Sequence, residues 1–364
     1  MKKHLIAAAV AAAVAVPAMA QNVSVSGVVD VGMGRLDTGA TTNATRTSGT
    51  SNGLTTSNIK FSGSEDLGGG LKAIFTLTQE FSPATGALSG QTDNRVTQVS
   101  GTTTKSGRDV MQETSVGLAG NFGSIKIGKF NHNAREAFGV GRLSGNLGRI
   151  DSTLFRTLGN DVDNSIAFTS ASLSGFTFDL TYGGKETGGP AADATVANAT
   201  DATYANYKTV SGALRYSSGP LNAAVSRINR TEVGTKKREG THFGVDYDFG
   251  MAKVGLIYAV NDPSSDAAND ETNVTSVSAV IPFAGGVALH VNFAEYDADA
   301  ANSGASAYAL AITKDLSKRT TLYTSYGKTK NDSGVRIAHG GSGARSATNG
   351  DDPSALTVGI RHSF

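Results

Sequence analysis

The 364-residue chain contains no cysteine. That one absence removes a disulfide framework, a thiolate nucleophile and any cysteine-bound metal, although the opening residues mark the chain for export to compartments where disulfides form. Proline is scarce, with seven residues. No Pro- or Ser-rich linker divides the chain and its texture is uniform, so a length that ordinarily suggests two domains is read as one. After residue 20 no apolar run approaches the roughly 20 residues that a membrane-spanning helix needs. Helical periodicity is nearly absent throughout. Charge of one sign is missing too: 32 Lys and Arg face 31 Asp and Glu, a formal +1, which leaves no basic footprint for a nucleic acid. A hydrophobic content of 39% with 45 glycines is thin for a soluble core of this size.

What the chain does have begins at its first residues. MKKHLIAAAVAAAVAVPAMA joins Lys2 and Lys3 to an apolar run from Leu5 to Val16 and a small-residue ending, Ala18-Met19-Ala20. This is the three-zone pattern of a secretory signal, and it predicts cleavage before Gln21. The expected organisation is a signal peptide over 1–20 and a barrel over 21–364. Removing Lys2 and Lys3 turns the formal charge from +1 to −1.

The rest of the chain alternates. In Val23-Ser24-Val25-Ser26-Gly27-Val28-Val29-Asp30-Val31 the odd positions are apolar or glycine and the even ones mostly small or polar, the pattern of a two-faced strand. The same period returns in Asn58-Ile59-Lys60-Phe61-Ser62, Leu71 to Leu77, Ser124 to Ile127, Phe176 to Leu180, Thr241 to Phe249 and on to Leu356–Phe364. About sixteen such segments of roughly 8 to 12 residues can be counted, the length a tilted strand needs to cross a bilayer. Their connections alternate as well. Short turns such as Asp66-Leu67-Gly68-Gly69-Gly70 and Ser218-Gly219-Pro220 face long polar stretches at about 36–56, 83–107, 131–164, 185–206, 262–270 and 331–353. Short turns on one side and long loops on the other mark an outer-membrane barrel. A soluble sandwich would be unusual at this strand number, and no fixed solenoid period is present. The last strand alternates up to a terminal Phe364, as a strand must if it closes a barrel against the first. The expected fold is therefore all-β: a 16-stranded antiparallel transmembrane β-barrel.

Several blocks carry a family resemblance: Val25-Ser26-Gly27-Val28-Val29-Asp30, Phe61-Ser62-Gly63-Ser64-Glu65-Asp66-Leu67-Gly68-Gly69-Gly70-Leu71-Lys72-Ala73, Ser115 to Ser124, Asp163-Asn164-Ser165-Ile166 and Val358-Gly359-Ile360-Arg361-His362-Ser363-Phe364. In these the chain resembles the trimeric general porins of β-proteobacteria and Neisseria, and the blocks span it from first strand to last. The resemblance implies a homotrimer in the outer membrane of a Gram-negative bacterium. It implies a third loop folded into the lumen, here 131–164, and a terminal aromatic strand, ending in Phe364, read by the barrel-assembly machinery. It also implies passive diffusion of ions and small hydrophilic solutes through a water-filled channel. The chain departs from the pattern where related porins place constriction arginines: Asn58, Gln112 and Ala167 stand there, and Lys129 replaces a further arginine. Anion selectivity does not follow from the resemblance.

Within 131–164 the arginines fall seven apart, at Arg135, Arg142, Arg149 and Arg156, among Glu136, Asp151, Asp161 and Asp163. Fixed charges of both signs inside a channel set a transverse field that filters solutes by size and charge; the same residues could instead be ion-paired struts. Gly139, Gly141, Gly145 and Gly148 argue against a long helix here. On the wall, parity puts Lys60, Lys72, Glu80, Arg215, Asp246 and Arg361 opposite the apolar face, because a lipid-facing Lys or Arg near the midplane costs roughly 2–4 kcal/mol. The constriction set expected from sequence is Lys60 with Arg135, Glu136, Arg142, Arg149, Asp151 and Arg156. The lumen wall set is Lys72, Glu80, Arg215, Asp246 and Arg361.

Catalytic and cofactor chemistry finds no support. Gly49-Thr50-Ser51-Asn52-Gly53 spells a nucleophile elbow but lies in mid-loop rather than between a strand and a helix. The histidines after residue 20 have no metal spacing, and the acidic pairs Asp297/Asp299 and Asp351/Asp352 read as solvated loops. No cofactor, metal or nucleic-acid partner is expected. Two other outer-membrane classes stay open on the residues alone: an adhesin or surface antigen using the long loops, and a barrel hydrolase with a rim site. Loop deletion separates them, since a channel keeps conducting while an adhesin loses its partner, and a bulk hydrolysis assay exposes an enzyme.

Overall fold

In the computed structural model the described residues are 22–40, 45–88, 111–131, 135, 139–146, 161–184, 208–231, 237–262, 271–339 and 348–364. Eighteen strands lie among them, in chain order: β1 (Asn22–Asp37), β2 (Thr45–Ser51), β3 (Asn58–Gly68), β4 (Leu71–Ser82), β5 (Ala87–Leu88), β6 (Glu113–Gly120), β7 (Gly123–Asn131), β8 (Asp161–Ser170) and β9 (Phe176–Gly183), followed by β10 (Lys208–Ser218), β11 (Leu221–Thr231), β12 (Lys237–Asp248), β13 (Lys253–Asp262), β14 (Thr272–Phe283), β15 (Val287–Ala298), β16 (Ala305–Asp315), β17 (Thr320–Asn331) and β18 (Ser354–Ser363). Sixteen of them form a closed antiparallel barrel, as the period-two pattern predicts. β2 continues the line of β3 along β1, and β5 pairs only with β4.

Closure is made by β1 and β18, aligned from Val28↔Ser363 to Asp37↔Ser354. The C-terminal residue completes it, since Gly27 and Phe364 exchange both backbone hydrogen bonds at 3.0 Å. Among the described residues the ring of sixteen strands closes without a free edge, as a setting without water requires.

The side chains sort by parity, and the sorting inverts that of a soluble protein. Val116, Leu118, Ile125, Ile127, Phe178 and Leu180 are exposed large hydrophobics on the outer face, while Ser165, Ala167, Asp179 and Thr181 alternate with them inside and are buried. An apolar outside with a polar inside is the arrangement a bilayer selects.

Two stretches depart from the expected loop map: 83–107 contains the two-residue β5, and the larger departure is 36–56. Residues 36–56 contain β2, which pairs with β1 from Val31↔Ser51 to Asp37↔Thr45. Both faces of β2 are polar, Thr45-Arg46-Thr47-Ser48-Gly49-Thr50-Ser51, so no hydrophobic alternation announces it. Its ladder rests on β-branched threonines and an existing partner strand. Between β2 and β3, residues Asn52–Ser57 leave the ladder as an inset.

Candidate functional site in the barrel lumen

The inner wall has two overlapping zones. On β13, β15, β16 and β18 it is paved with small buried residues, among them Ala259, Ala294, Ala307, Ala309, Ala311 and Ala355. Those of β15 and β16 are covered by segments that lie on them, while Ala259 and Ala355 pack against neighbouring wall side chains. Leu54 of the inset packs with Ala309, Ala311 and Tyr323. Ile337 and Val335, from the connection between β17 and β18, pack on Ala294, Ala305 and Ala307. Val140 packs on Ala213 and Ala224 of β10 and β11.

Residues 139–146 belong to the connection between β7 and β8, yet they contact strands far around the barrel. The Ser278 hydroxyl on β14 donates to the Gly141 carbonyl at 2.9 Å and accepts from the Leu143 N–H at 3.2 Å. Asn146 then joins the inset, its backbone N–H donating to the Leu54 carbonyl at 3.0 Å and its Nδ2 to the Asn52 carbonyl at 2.9 Å. Gly141 (φ +91°) and Gly145 (φ +58°) make this path possible. A Cβ on the first would overlap the Leu256 carbonyl oxygen, and one on the second the Leu54 carbonyl oxygen.

The other zone, from β6 to β13, carries a series of ion pairs. Lys126 meets Glu113 at 3.2 Å, and Lys253 meets Asp246 at 2.9 Å. Arg215 grips Asp179 through Nε and Nη2 at 2.6 and 2.9 Å, a two-bond fork that suits the planar guanidinium. Arg215 and Asp246, expected on the wall, are thus each held in an ion pair. Lys60 lies across from Ser26 and Thr78, on the inward face. Glu80 lies across from Asn58, and Lys72 is exposed on the same parity. Among the described residues Lys60, Lys72 and Arg361 make no ion pair, and the Arg361 Nε is buried without a hydrogen-bond partner.

At the base of the β7–β8 connection Lys129 meets Asp163 at 3.5 Å, and Arg135 donates to the Asn131 side chain. The Arg142 N–H donates to the Gly139 carbonyl at 3.2 Å between the contacts of Gly141 and Leu143. Glu136, Arg149, Asp151 and Arg156 lie outside the described residues. Of the positions where related porins place arginine, Ala167 is buried on the inner face of β8.

Sequence reasoning missed three inner-wall residues: Asp30, Tyr323 and His339. Parity alone singles out Asp30, a carboxylate on the even, inward positions that Ser24, Ser26 and Gly32 otherwise fill. His339, in the β17–β18 connection, is 4% exposed; its Nδ1 is 3.3 Å from the Thr329 hydroxyl and its ring covers Gly327. Burial without a compensating charge lowers its pKa from 6.5 to about 4. A folded-state value below the unfolded one means the packed segment keeps its full stability above pH 6.5 and loses it as pH falls toward 4, where the buried ring must take a proton. The protection factor of the Ile337 amide, whose N–H donates to Asn331 Oδ1 at 2.9 Å, should therefore fall on acidification in the native chain more than in His339→Gln, once the intrinsic slowing of exchange with pH is divided out. Equal acid responses in the two proteins would refute this.

A closed barrel with an apolar outside and a charged, polar inside defines the class: a channel-forming barrel of the outer membrane. The chain belongs to the Gram-negative porin family, which it matches over residues 7–334. It is similar over its whole length to Outer membrane porin protein 32 of Delftia acidovorans, at 29% identity over 381 residues with all of both chains covered. It is also similar to an outer membrane porin protein of Bordetella pertussis, at 26% over 420 residues with the same full coverage. Among solved structures its fold is like that of the anion-selective porin from Comamonas acidovorans, with TM-score 0.72, 24% identity and coverage of 94% of this chain and 100% of that one. OmpT of Vibrio cholerae is similar at TM-score 0.67 and 13% identity, covering 94% and 97%. The protein is thus an outer-membrane porin of a Gram-negative bacterium, and its relatives are channels rather than enzymes.

Proposed function

We propose that the 131–164 connection folds into the lumen and narrows it, so that ions and small hydrophilic solutes are filtered by size and weakly by charge. The observation that carries this reading is the pair of hydrogen bonds tying Gly141 and Leu143 to Ser278, on a strand remote from both β7 and β8. Backbone can leave the wall there because the lumen is wet and the small residues beneath leave room. Lys60, Arg135, Glu136, Arg142, Arg149, Asp151 and Arg156 are the proposed constriction residues, with Lys72, Glu80, Arg215, Asp246 and Arg361 along the wall.

The proposed selectivity is a weak preference for anions. Inner-face acids Glu113, Asp179 and Asp246 each have a cationic partner, while Lys60, Lys72 and Arg361 do not pair among the described residues. The proposed working form is a homotrimer in outer-membrane lipid, made from a precursor cleaved after Ala20 and assembled by the barrel-assembly machinery through the strand ending in Phe364. Porins of this fold include a trimer form of OmpT from Vibrio cholerae. Reversal potentials under a salt gradient test the charge filter: Lys60→Gln should move the preference toward cations, and an unchanged reversal potential removes Lys60 from the filter.

A further inference from the structure

One carboxylate on the inner wall is placed where no solute can touch it. Asp30, on β1, is 0% exposed. Its Oδ2 accepts from the backbone N–H groups of Leu54 and Thr55, both at 2.7 Å. Its Oδ1 accepts from the Tyr323 hydroxyl on β17, also at 2.7 Å. The Asp30 backbone holds the two ends of the same inset: its N–H donates to Ser57 Oγ at 2.9 Å, and its carbonyl accepts from the Asn52 N–H at 2.9 Å. Ser57 N–H closes the inset on Asn52 Oδ1 at 2.8 Å. Both ends and the middle of Asn52–Ser57 are thus held by one residue of the first strand.

The opposite side of the inset offers two acceptors, the carbonyls of Asn52 and Leu54, and Asn146 takes both. The inward run 139–146 therefore ends on a platform whose own position is set by Asp30 and Tyr323. Hydrogen bonds from neutral donors to a carboxylate are short and strong, and in a water-poor setting an unmade one is costly, so the platform has one favoured place.

We propose that Asp30 and Tyr323 form a latch that positions the pore constriction, acting through the 52–57 inset without contacting the permeating solute. Asp30 is a positioning residue in this account, and the proposal rests on the reading of 131–164 as the pore-narrowing loop. Alanine at position 30 leaves the Leu54, Thr55 and Tyr323 donors without their acceptor. Asparagine keeps one oxygen for the two N–H groups and should largely preserve the arrangement.

The test is single-channel recording on the purified full-length protein in planar bilayers. Asp30→Ala should replace one conductance level by several, with a mean above the native value. Tyr323→Phe, which keeps the ring packing and removes only one bond, should shift the same way by less. Asp30→Asn should return close to the native single level. A lipid-face variant that destabilises the barrel generally, Leu180→Arg, should leave the open-channel conductance unchanged, which separates positioning from mere stability. If Asp30→Ala does not fold, Tyr323→Phe carries the decision. Native conductance in Asp30→Ala, or in Tyr323→Phe where that decides, overturns the latch. If Gly141→Val with Gly145→Val still alters conductance in that case, the loop reading stands without the latch; if it does not, both fall.

Discussion

Replacing Gly141 and Gly145 together by valine should raise single-channel conductance and make it noisy, because residues 139–146 can no longer lie where they do. Both glycines have positive φ, at +91° and +58°, and both press against carbonyl oxygens, of Leu256 and Leu54. Holding a β-branched residue in such a conformation costs about 1–3 kcal/mol each, before any overlap is counted. At 1.4 kcal/mol per factor of ten, the pair, at about 2–6 kcal/mol together, lowers the docked population by a factor of about thirty to about twenty thousand. The barrel itself should survive, because its ladders do not pass through these residues. Single-channel recording, together with a gel assay of folded barrel, checks both halves of the expectation. Native conductance in a folded double variant would show that this segment does not set the pore.

Arginine at Leu180 should destabilise the barrel strongly, while arginine at Thr76 should barely matter. Leu180 is 59% exposed near the middle of β9, on the outer face with Phe178 and Tyr182. A guanidinium at midplane depth costs roughly 2–4 kcal/mol, since lipid offers it neither water nor counterion. Thr76 lies near the middle of β4 and pairs with Ser62 and Ser115, on the inward face. A charge there meets lumen water instead. Equilibrium unfolding from lipid vesicles in urea measures the difference; equal losses in the two variants would deny that parity assigns the lipid and lumen faces.

How much of this was legible in the sequence depends on whether two faces differed. Where one face met lipid, the alternation gave strand, partner face and closure directly, as in Phe176–Gly183 or Leu356 to Phe364. Where both faces are wet the signal vanished, and β2 was hidden among Thr, Ser and Gly inside a stretch read as loop. Turns were readable because glycine and proline mark them, as at Gly69-Gly70 and Gly219-Pro220.

The lumen was legible in sign but not in partnership. Parity assigns Lys60, Arg215, Asp246 and Arg361 to the inner face, but whether Arg215 is a lone cation or half of a fork with Asp179 depends on a residue 36 positions away. Asp30 and Tyr323 lie 293 residues apart, and the inset between them looks like any polar loop. The buried alanines of β15 and β16 carried a signal that is clear only once the barrel is closed: the wall there is small enough for other segments to lie on it.

The most direct measurement is planar-bilayer recording of the purified, folded native protein. A water-filled trimer should insert in steps that conduct in groups of three, with current linear in voltage at low potential and small hydrophilic solutes passing in parallel liposome-swelling assays. A folded protein that inserts into the bilayer and carries no current would contradict the channel account at its centre.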